Sequence, residues 1–282
     1  MGYDQAPMTA PDLAAELAFA EALARRAGEL LADRYERVQR IRLKSPRDVV
    51  TEVDFASERL VIDAIRAEYP ADAILAEETG HHRRARRTAE SGRRWVLDPL
   101  DGTVNYANGL PFFCVSLALV GADGPLVGVV LDPLRNDCYA ATAGGHATLN
   151  GKRVSASAKE KLTDFVVSLA IIGRGGLSRE RKVGREVRIH RRMGSAALSL
   201  AYVANGRFDA FVQNGGLSLW DVAAAGLIAE RAGASITDLH GGPWWQPSTR
   251  GARLSVVCAP PAHHARLLEL MAAAGTRVAS RP

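Results

Sequence analysis

Apolar positions along the first third of the chain recur at two different periods. Leu13, Leu17, Ala20, Ala24, Ala27 and Leu31 lie three or four residues apart, the spacing of one face of an α-helix. Ahead of them, Thr9 and Asp12 have capping-box spacing, with Pro11 in the first turn. A second helix is predicted over 54–68, with Leu60, Val61, Ala64 and Ile65 as its apolar stripe and Pro70 just past its end. The period then shortens. Strands are predicted at 73–75, 95–97, 114–120 and 126–131, with a turn at 121–125 and another at Asn150-Gly151.

Beyond residue 155 the alternation resumes. A strand is predicted at 163–171, and a helix at 194–204 that stops at Asn205-Gly206. A short strand at 209–212 precedes a helix over "WDVAAAGLIAERAG" ending at Gly233, and 234–238 reads as a further strand. Strands alternate with helices on both sides of the boundary, so we expect an α/β protein of layered sheets and helices. Two halves are expected, 1–154 and 155–282, with no internal repeat or long linker.

Composition narrows the class. The chain has 282 residues, 47% hydrophobic and 24% charged, as in a soluble globular protein. No run of apolar residues is long enough for a membrane span, and the N-terminus lacks the basic-then-apolar pattern of a signal peptide. Cys114, Cys138 and Cys258 are far apart, an odd and sparse set that fits a reducing cytoplasm rather than a disulfide framework. The net charge of +5 favours phosphate-bearing molecules.

Candidate chemistry lies in the carboxylates. "ILAEETG" places Glu77 and Glu78 after one short apolar run, and "WVLDPLDGT" places Asp98 and Asp101 after another. "LWDVAAAG" places Asp221 in the first turn of a small-residue helix. Each reads singly as an ordinary feature: a solvated loop, a turn, or an acid at the positive end of a helix. Together they read differently. If Glu77, Asp98, Asp101 and Asp221 converge, each like-charge pair at about 4 Å costs about 4 kcal/mol at an effective dielectric of 20, so the cluster needs protons or cations. Carboxylates with no His or Cys suit hard divalent ions, and two such ions can clamp a phosphoryl transfer. Gly102 permits close backbone approach, and Thr103 offers a hydroxyl and an amide for phosphate oxygens.

"WVLDPLDGTVNY" and "WDVAAAGLIAERAGASITD", with "DVVTEVD", "LAEE", "GVVLDP" and "MGSAAL" in order, resemble the inositol monophosphatase family of magnesium-dependent, lithium-sensitive phosphatases. The match spans roughly 12–260. The resemblance implies an αβαβα sandwich of the inositol monophosphatase and fructose-1,6-bisphosphatase type. It implies that Glu77, Asp98 and the Leu100 carbonyl hold one Mg²⁺, that Asp98, Asp101 and Asp221 hold a second, and that Glu77 helps a third, weaker ion. A water positioned by Glu77 and Thr103 then attacks phosphorus in line, without a phosphoenzyme. Asp101, Gly102, Thr103, Gly194, Ser195, Ala196, Asn214 and Asp221 are the implied substrate contacts. Asn214 departs from the pattern, standing where inositol-specific relatives usually have glutamate. Lys44 and Asp54 match positions near the metals less closely, and Asp54 also reads as a helix N-cap.

The resemblance implies a small phosphate monoester as substrate and a homodimer, with no membrane partner. Inositol monophosphate comes first; fructose 1,6-bisphosphate, histidinol phosphate and 3′-phosphoadenosine 5′-phosphate are the alternatives. Relatives specialised for the last two often carry lysine after Asp-Gly-Thr, where Val104 stands here. "HHRRARR" at 81–87 lacks interleaved aromatic residues, so it reads as a solvated loop rather than a nucleic-acid motif, although a protein- or RNA-binding role for the basic surface is the alternative of another class. "GRGG" at 173–176 reads as a turn, and Trp244-Trp245 as packing.

Overall fold

The structure, a computed structural model, describes residues 12–37, 41–45, 48–82, 91–173, 175–245 and 254–272. Helix α1 (Ala14–Arg34) buries Ala20, Leu23, Ala24, Ala27 and Leu31 along one face, close to the predicted stripe. Asp12 Oδ1 accepts its Ala14 amide at 3.0 Å; Thr9 and Pro11 lie outside the described residues. A hairpin of β1 (Ile41–Ser45) and β2 (Asp48–Thr51) leads into α2 (Glu52–Glu68).

The larger sheet is built next, from β3 (Ala73–Ala76), β4 (Gly80–His82), β5 (Arg94–Asp101), and, after the short helix α3 (Thr103–Ala107), β6 (Cys114–Val120), β7 (Pro125–Asp132), β8 (Asp137–Thr142), β9 (Thr148–Leu149) and β10 (Lys152–Arg153). Its order is β10-β9-β8-β7-β6-β5-β3-β4. The smaller sheet has the order β12-β11-β13-β15-β14. Its elements are β11 (Val166–Ala170), α4 (Gly176–Glu186), β12 (Ile189–Arg191), α5 (Ala196–Ala201), β13 (Ala210–Leu217), α6 (Leu219–Arg231), β14 (Ser235–Thr237), β15 (Leu254–Ala259) and α7 (Pro261–Met271).

Side-chain alternation along the strands defines five layers. On β5, Trp95 and Leu97 face α1 and α2, while Val96 faces the opposite core. That second core contains α5 and α6, sandwiched between the sheets, and is closed by Phe211, Val256 and Cys258 of the smaller sheet. On β15 the intervening Val257 and Ala259 face a third core with Val183 of α4 and Leu267 of α7. The order is therefore α1/α2, large sheet, α5/α6, small sheet, α4/α7: an αβαβα sandwich. Small residues allow α6 to lie in the middle. A Cβ on Gly128 of β7 would stand 2.7 Å from the Ala224 carbonyl oxygen, and one on Gly226 would stand 2.5 Å from the Trp244 ring. Trp244 is buried against α6, a packing role.

Several elements went unread in the sequence. Helices α4 and α7, strand β8 and the β1–β2 hairpin were not expected, and the 163–171 strand begins with a 3₁₀ turn at Leu162–Asp164. The "GRGG" turn is present in part: Gly173 and Gly175 have positive φ, and Gly175 caps α4.

Candidate active site

The two aspartates of "DPLD" sit three apart, so in a regular strand they would point to opposite faces. The register shows why they do not. Asp98 pairs with Ser116 and Asp101 pairs with Cys114, so three steps on β5 match two on β6. The β-bulge at Pro99-Leu100 returns Asp101 to the face of Asp98. Pro99 has no N–H for a ladder bond and is tolerated there. Ser57 Oγ donates to the Pro99 carbonyl at 3.0 Å, and the Leu100 amide donates to Asp98 Oδ1 at 3.0 Å, fixing the bulge from both sides.

Asp221 arrives from the other side of the cluster. It is the third residue of α6 in a capping box, where its Oδ2 accepts the Ser218 amide at 2.7 Å. Ser116 Oγ donates to the Trp220 carbonyl at 3.0 Å, tying the start of α6 to the strand beside Asp98. Capping and convergence are thus the same geometry. Asp98, Asp101 and Asp221 offer oxygens that all lie within 4.8 Å of one another. Glu77, at the end of β3, is hydrogen-bonded to Asp98. Burial first, then the charges of Glu77, Asp101 and Asp221, push the Asp98 carboxyl well above the usual carboxylate range. Burial also raises Asp101, opposed by hydrogen bonds from Ser195 and the amides of residues 196–198. The burial and mutual repulsion that favour protons here also favour a bound cation, and all-oxygen donors suit a hard divalent ion such as Mg²⁺. Burial, with Asp101 and Asp98 nearby, pushes the Cys114 thiol well up, so it is no nucleophile.

Thr103 opens α3 beside the cluster. Its Oγ1 lies 3.0 Å from both Asp54 Oδ1 and the Leu100 carbonyl oxygen. Asp54 is held in turn by Thr51, whose amide donates to Asp54 Oδ2 at 2.8 Å and whose hydroxyl donates at 2.5 Å. The N-cap of α2 is therefore Thr51, and Asp54 is its third residue, which corrects the N-cap reading of Asp54. The aspartate is also a direct partner of Thr103, and burial raises its pKa. The Thr-x-x-Asp spacing of "TEVD" carried this signal as a capping box; its contact with Thr103 is long-range and had none.

Glycine is required at 102. Its φ is 97°, and a Cβ would stand 3.0 Å from the Phe112 carbonyl oxygen and 3.2 Å from Ser195 Cβ. Ser195 caps α5 and donates from Oγ to Asp101 Oδ2 at 2.5 Å, while the Ala197 amide donates to the same oxygen at 2.7 Å. Asn105 Nδ2 donates to the carbonyls of Phe112 and Met193 at 2.7 and 2.8 Å, bringing Gly194 and Ser195 alongside.

A cavity of about 260 Å³ opens from Asp101 and Asp221, lined by Ser195, Ala196, Gly194, Arg192, Ser168 and Gln213 among others. Asn214 is placed differently. Its Oδ1 accepts the Ile172 amide at 2.6 Å and its Nδ2 donates to the Ile172 carbonyl at 2.8 Å, while its neighbour Gln213 lines the cavity. The side chain of Lys44 and residues 83–87 of the basic run lie outside the described residues. His81 and His82 form the edge strand β4, with His82 Nδ1 3.1 Å from Arg66.

Comparison with known proteins agrees with this architecture. The sequence model of the Inositol monophosphatase family matches residues 12–276. A Nus factor SuhB of Pasteurella multocida (strain Pm70) is 39% identical over 227 residues, covering 78% of this chain and 83% of that protein. An inositol-1-monophosphatase of Mesorhizobium japonicum is 38% identical over 227 residues, covering 78% and 84%. The crystal structure of extragenic suppressor protein suhB from Bartonella henselae superposes with a TM-score of 0.84 at 31% identity, covering 91% of this chain and 98% of that one. With the family's sequence model matching residues 12–276 and a relative's crystal structure superposing over 91% of the chain, the chain belongs to the inositol monophosphatase family.

Proposed function

We propose that the protein is a Mg²⁺-dependent phosphomonoesterase hydrolysing inositol monophosphate or a related small polyol phosphate. The observation that carries this reading is the bulge that turns Asp98 and Asp101 to one face, opposite Asp221 at the start of α6. Glu77, Asp98 and the Leu100 carbonyl would hold one ion, and Asp98, Asp101 and Asp221 a second, with Glu77 assisting a third. Bound Mg²⁺ would supply Lewis-acid polarisation of the phosphoryl group and a water acidic enough to attack near neutral pH.

The chain's own groups do the rest. The Gly102 and Thr103 amides, at the start of α3, hold phosphate oxygens. With the Leu100 carbonyl given to an ion, the Thr103 hydroxyl would donate to Asp54 Oδ1 rather than to that carbonyl, which leaves an Oγ1 lone pair to accept from the attacking water. Asp54 Oδ1, hydrogen-bonded to Thr103, is placed to take that proton onward. Hydrogen bonds from Ser195 and the Ala197 amide favour the charged form of Asp101 against its burial and hold the carboxylate at the cluster. Gly194, Ser195, Ala196 and Gln213 border the space for the leaving alcohol, with Asp221 at its inner end.

Asn214 supports a broad substrate range. Its amide holds the backbone of Ile172, and the side chain this strand presents to the cavity is the uncharged Gln213, so neither residue supplies the charged acceptor that glutamate supplies in inositol-specific relatives. Phosphate release from myo-inositol 1-phosphate, glycerol 2-phosphate and fructose 1,6-bisphosphate tests this. We expect comparable kcat/KM for the two monophosphates, and inhibition by Li⁺ in the millimolar range or below. A strong preference for inositol phosphate contradicts the broad reading, and rates indifferent to Li⁺ at subsaturating Mg²⁺ contradict the second ion site.

The name Nus factor, borne by the Pasteurella relative, favours a second reading in which a macromolecular partner is bound as well. The +5 net charge supports an anionic one. Fluorescence anisotropy with a single-stranded RNA at physiological salt tests it; no change in anisotropy would remove it.

A further inference from the structure

Glu58, in the second turn of α2, is only 1% exposed, and among the described residues its hydrogen bonds go to Glu78 and Thr79, neither assigned a part in the chemistry above. Its Oε2 accepts the Glu78 amide at 2.8 Å and its Oε1 accepts the Thr79 hydroxyl at 2.5 Å. Among the described residues no lysine or arginine pairs with it. A carboxylate buried without a cation is costly unless its hydrogen bonds are good. Both of its bonds go to one tight turn, residues 77–79, between β3 and β4.

That turn carries Glu77. Its other end is fastened by the Glu77 amide, which donates to the Leu97 carbonyl at 3.2 Å, one residue before Asp98. A second link runs two helical turns further along α2, where Arg66 meets His82 of β4. Glu77 therefore projects from a loop tied to the strand of Asp98 on one side and to α2 on the other. A turn that only reversed the chain would not need a buried carboxylate under it. We propose that Glu58 is a positioning residue that holds the 77–79 turn so that Glu77 meets Asp98 at the first ion site; this rests on the metal-dependent reading.

The test compares Glu58→Ala, Glu58→Gln and Thr79→Val with the wild type. Calorimetric titration of the chelated proteins with Mn²⁺ is the primary readout, beside the Mg²⁺ dependence of phosphate release and the unfolding midpoint in chelator. Loss of such an outer partner costs about 10–100-fold in metal affinity. Glu58→Ala is expected to weaken Mn²⁺ binding within that range and to raise half-saturating Mg²⁺, with kcat at saturating Mg²⁺ close to wild type. Glu58→Gln keeps an acceptor for the Glu78 amide, and the Thr79 hydroxyl can rotate to accept from its amide, so it should recover most of the affinity. Thr79→Val, which also removes the contact of the Thr79 hydroxyl with His82 Nε2, should show a smaller loss than Glu58→Ala because the Glu78 amide keeps its acceptor.

Wild-type Mn²⁺ affinity in Glu58→Ala, whatever its midpoint, overturns the proposal. So does Glu58→Gln binding as weakly as Glu58→Ala, which would make the charge rather than the hydrogen bonds responsible. If Glu58→Ala does not fold, Thr79→Val decides, and wild-type affinity there overturns it. If the wild type releases no phosphate with Mg²⁺, the phosphatase reading fails, while the Mn²⁺ titration still decides the role of Glu58.

Discussion

Asp98 carries the strongest conflict at the scale of single residues. It is buried, bonded to Glu77, and faces two further aspartates, so its charged form is disfavoured until a cation arrives. Asp98→Asn should nearly abolish turnover. It should also leave the unfolding midpoint in chelator unchanged or higher, because burial and the neighbouring carboxylates disfavour a charge at this position and the amide carries none. Thermal unfolding in chelator and initial rates in Mg²⁺ check both halves, and near wild-type rates at saturating Mg²⁺ would contradict the assignment. Asp221→Asn should also lose turnover, but its stability is less clean, since Asp221 Oδ2 also caps the Ser218 amide. These residues were legible in the sequence because acids at the ends of apolar runs are local features. The role of Asn214 was not: its two bonds reach Ile172, 42 positions away, and no local pattern reports them.

Among the elements, those with strong periodicity were legible and those without it were not. Strand β6 was predicted with its observed bounds because all seven of its residues, Cys114–Val120, are apolar or small. Helix α4 was missed because it buries only Gly176 and Val183 and is otherwise rich in Arg, Lys and Glu. Helix α6 was legible as a helix, but its central place between two sheets depends on Gly128 and Gly226 on its neighbours and itself. Gly128→Ala is therefore an informative change. The new methyl would meet the backbone of α6 at Ala224, which cannot rotate away as a side chain would. Overpacking of this kind costs about 1–3 kcal/mol. Because α6 carries Asp221, the same shift should weaken Mg²⁺ activation. A denaturant midpoint and a Mg²⁺ titration measure the two effects; wild-type values in both would show that α6 yields without cost.

For the whole molecule, the layered order determines what faces water and what faces metal. Layering was legible from the alternation of strands and helices, the αβαβα order only from the resemblance, and the sheet orders follow from long-range pairing that a single sequence does not display. The outermost layer adds a pH dependence. His264 of α7 is buried against Thr237 and the Val257 carbonyl, and burial lowers its pKa from the ordinary 6.5. A lowered folded pKa means the unfolded chain binds the proton more readily. The contribution is complete above about pH 6.5 and is lost as pH falls through the folded value, with a slope of at most about 1.4 kcal/mol per pH unit. His264→Gln should flatten the decline in unfolding midpoint between neutral and acid pH, and an unchanged decline would assign it to other groups. The proposed function stands or falls with the Asp98, Asp101 and Asp221 cluster as a metal-dependent phosphatase centre. Its most direct test is phosphate release from myo-inositol 1-phosphate by the chelated protein, before and after Mg²⁺ is restored. Release should be negligible without the ion and full with it; equal rates in both conditions would contradict a metal-dependent centre.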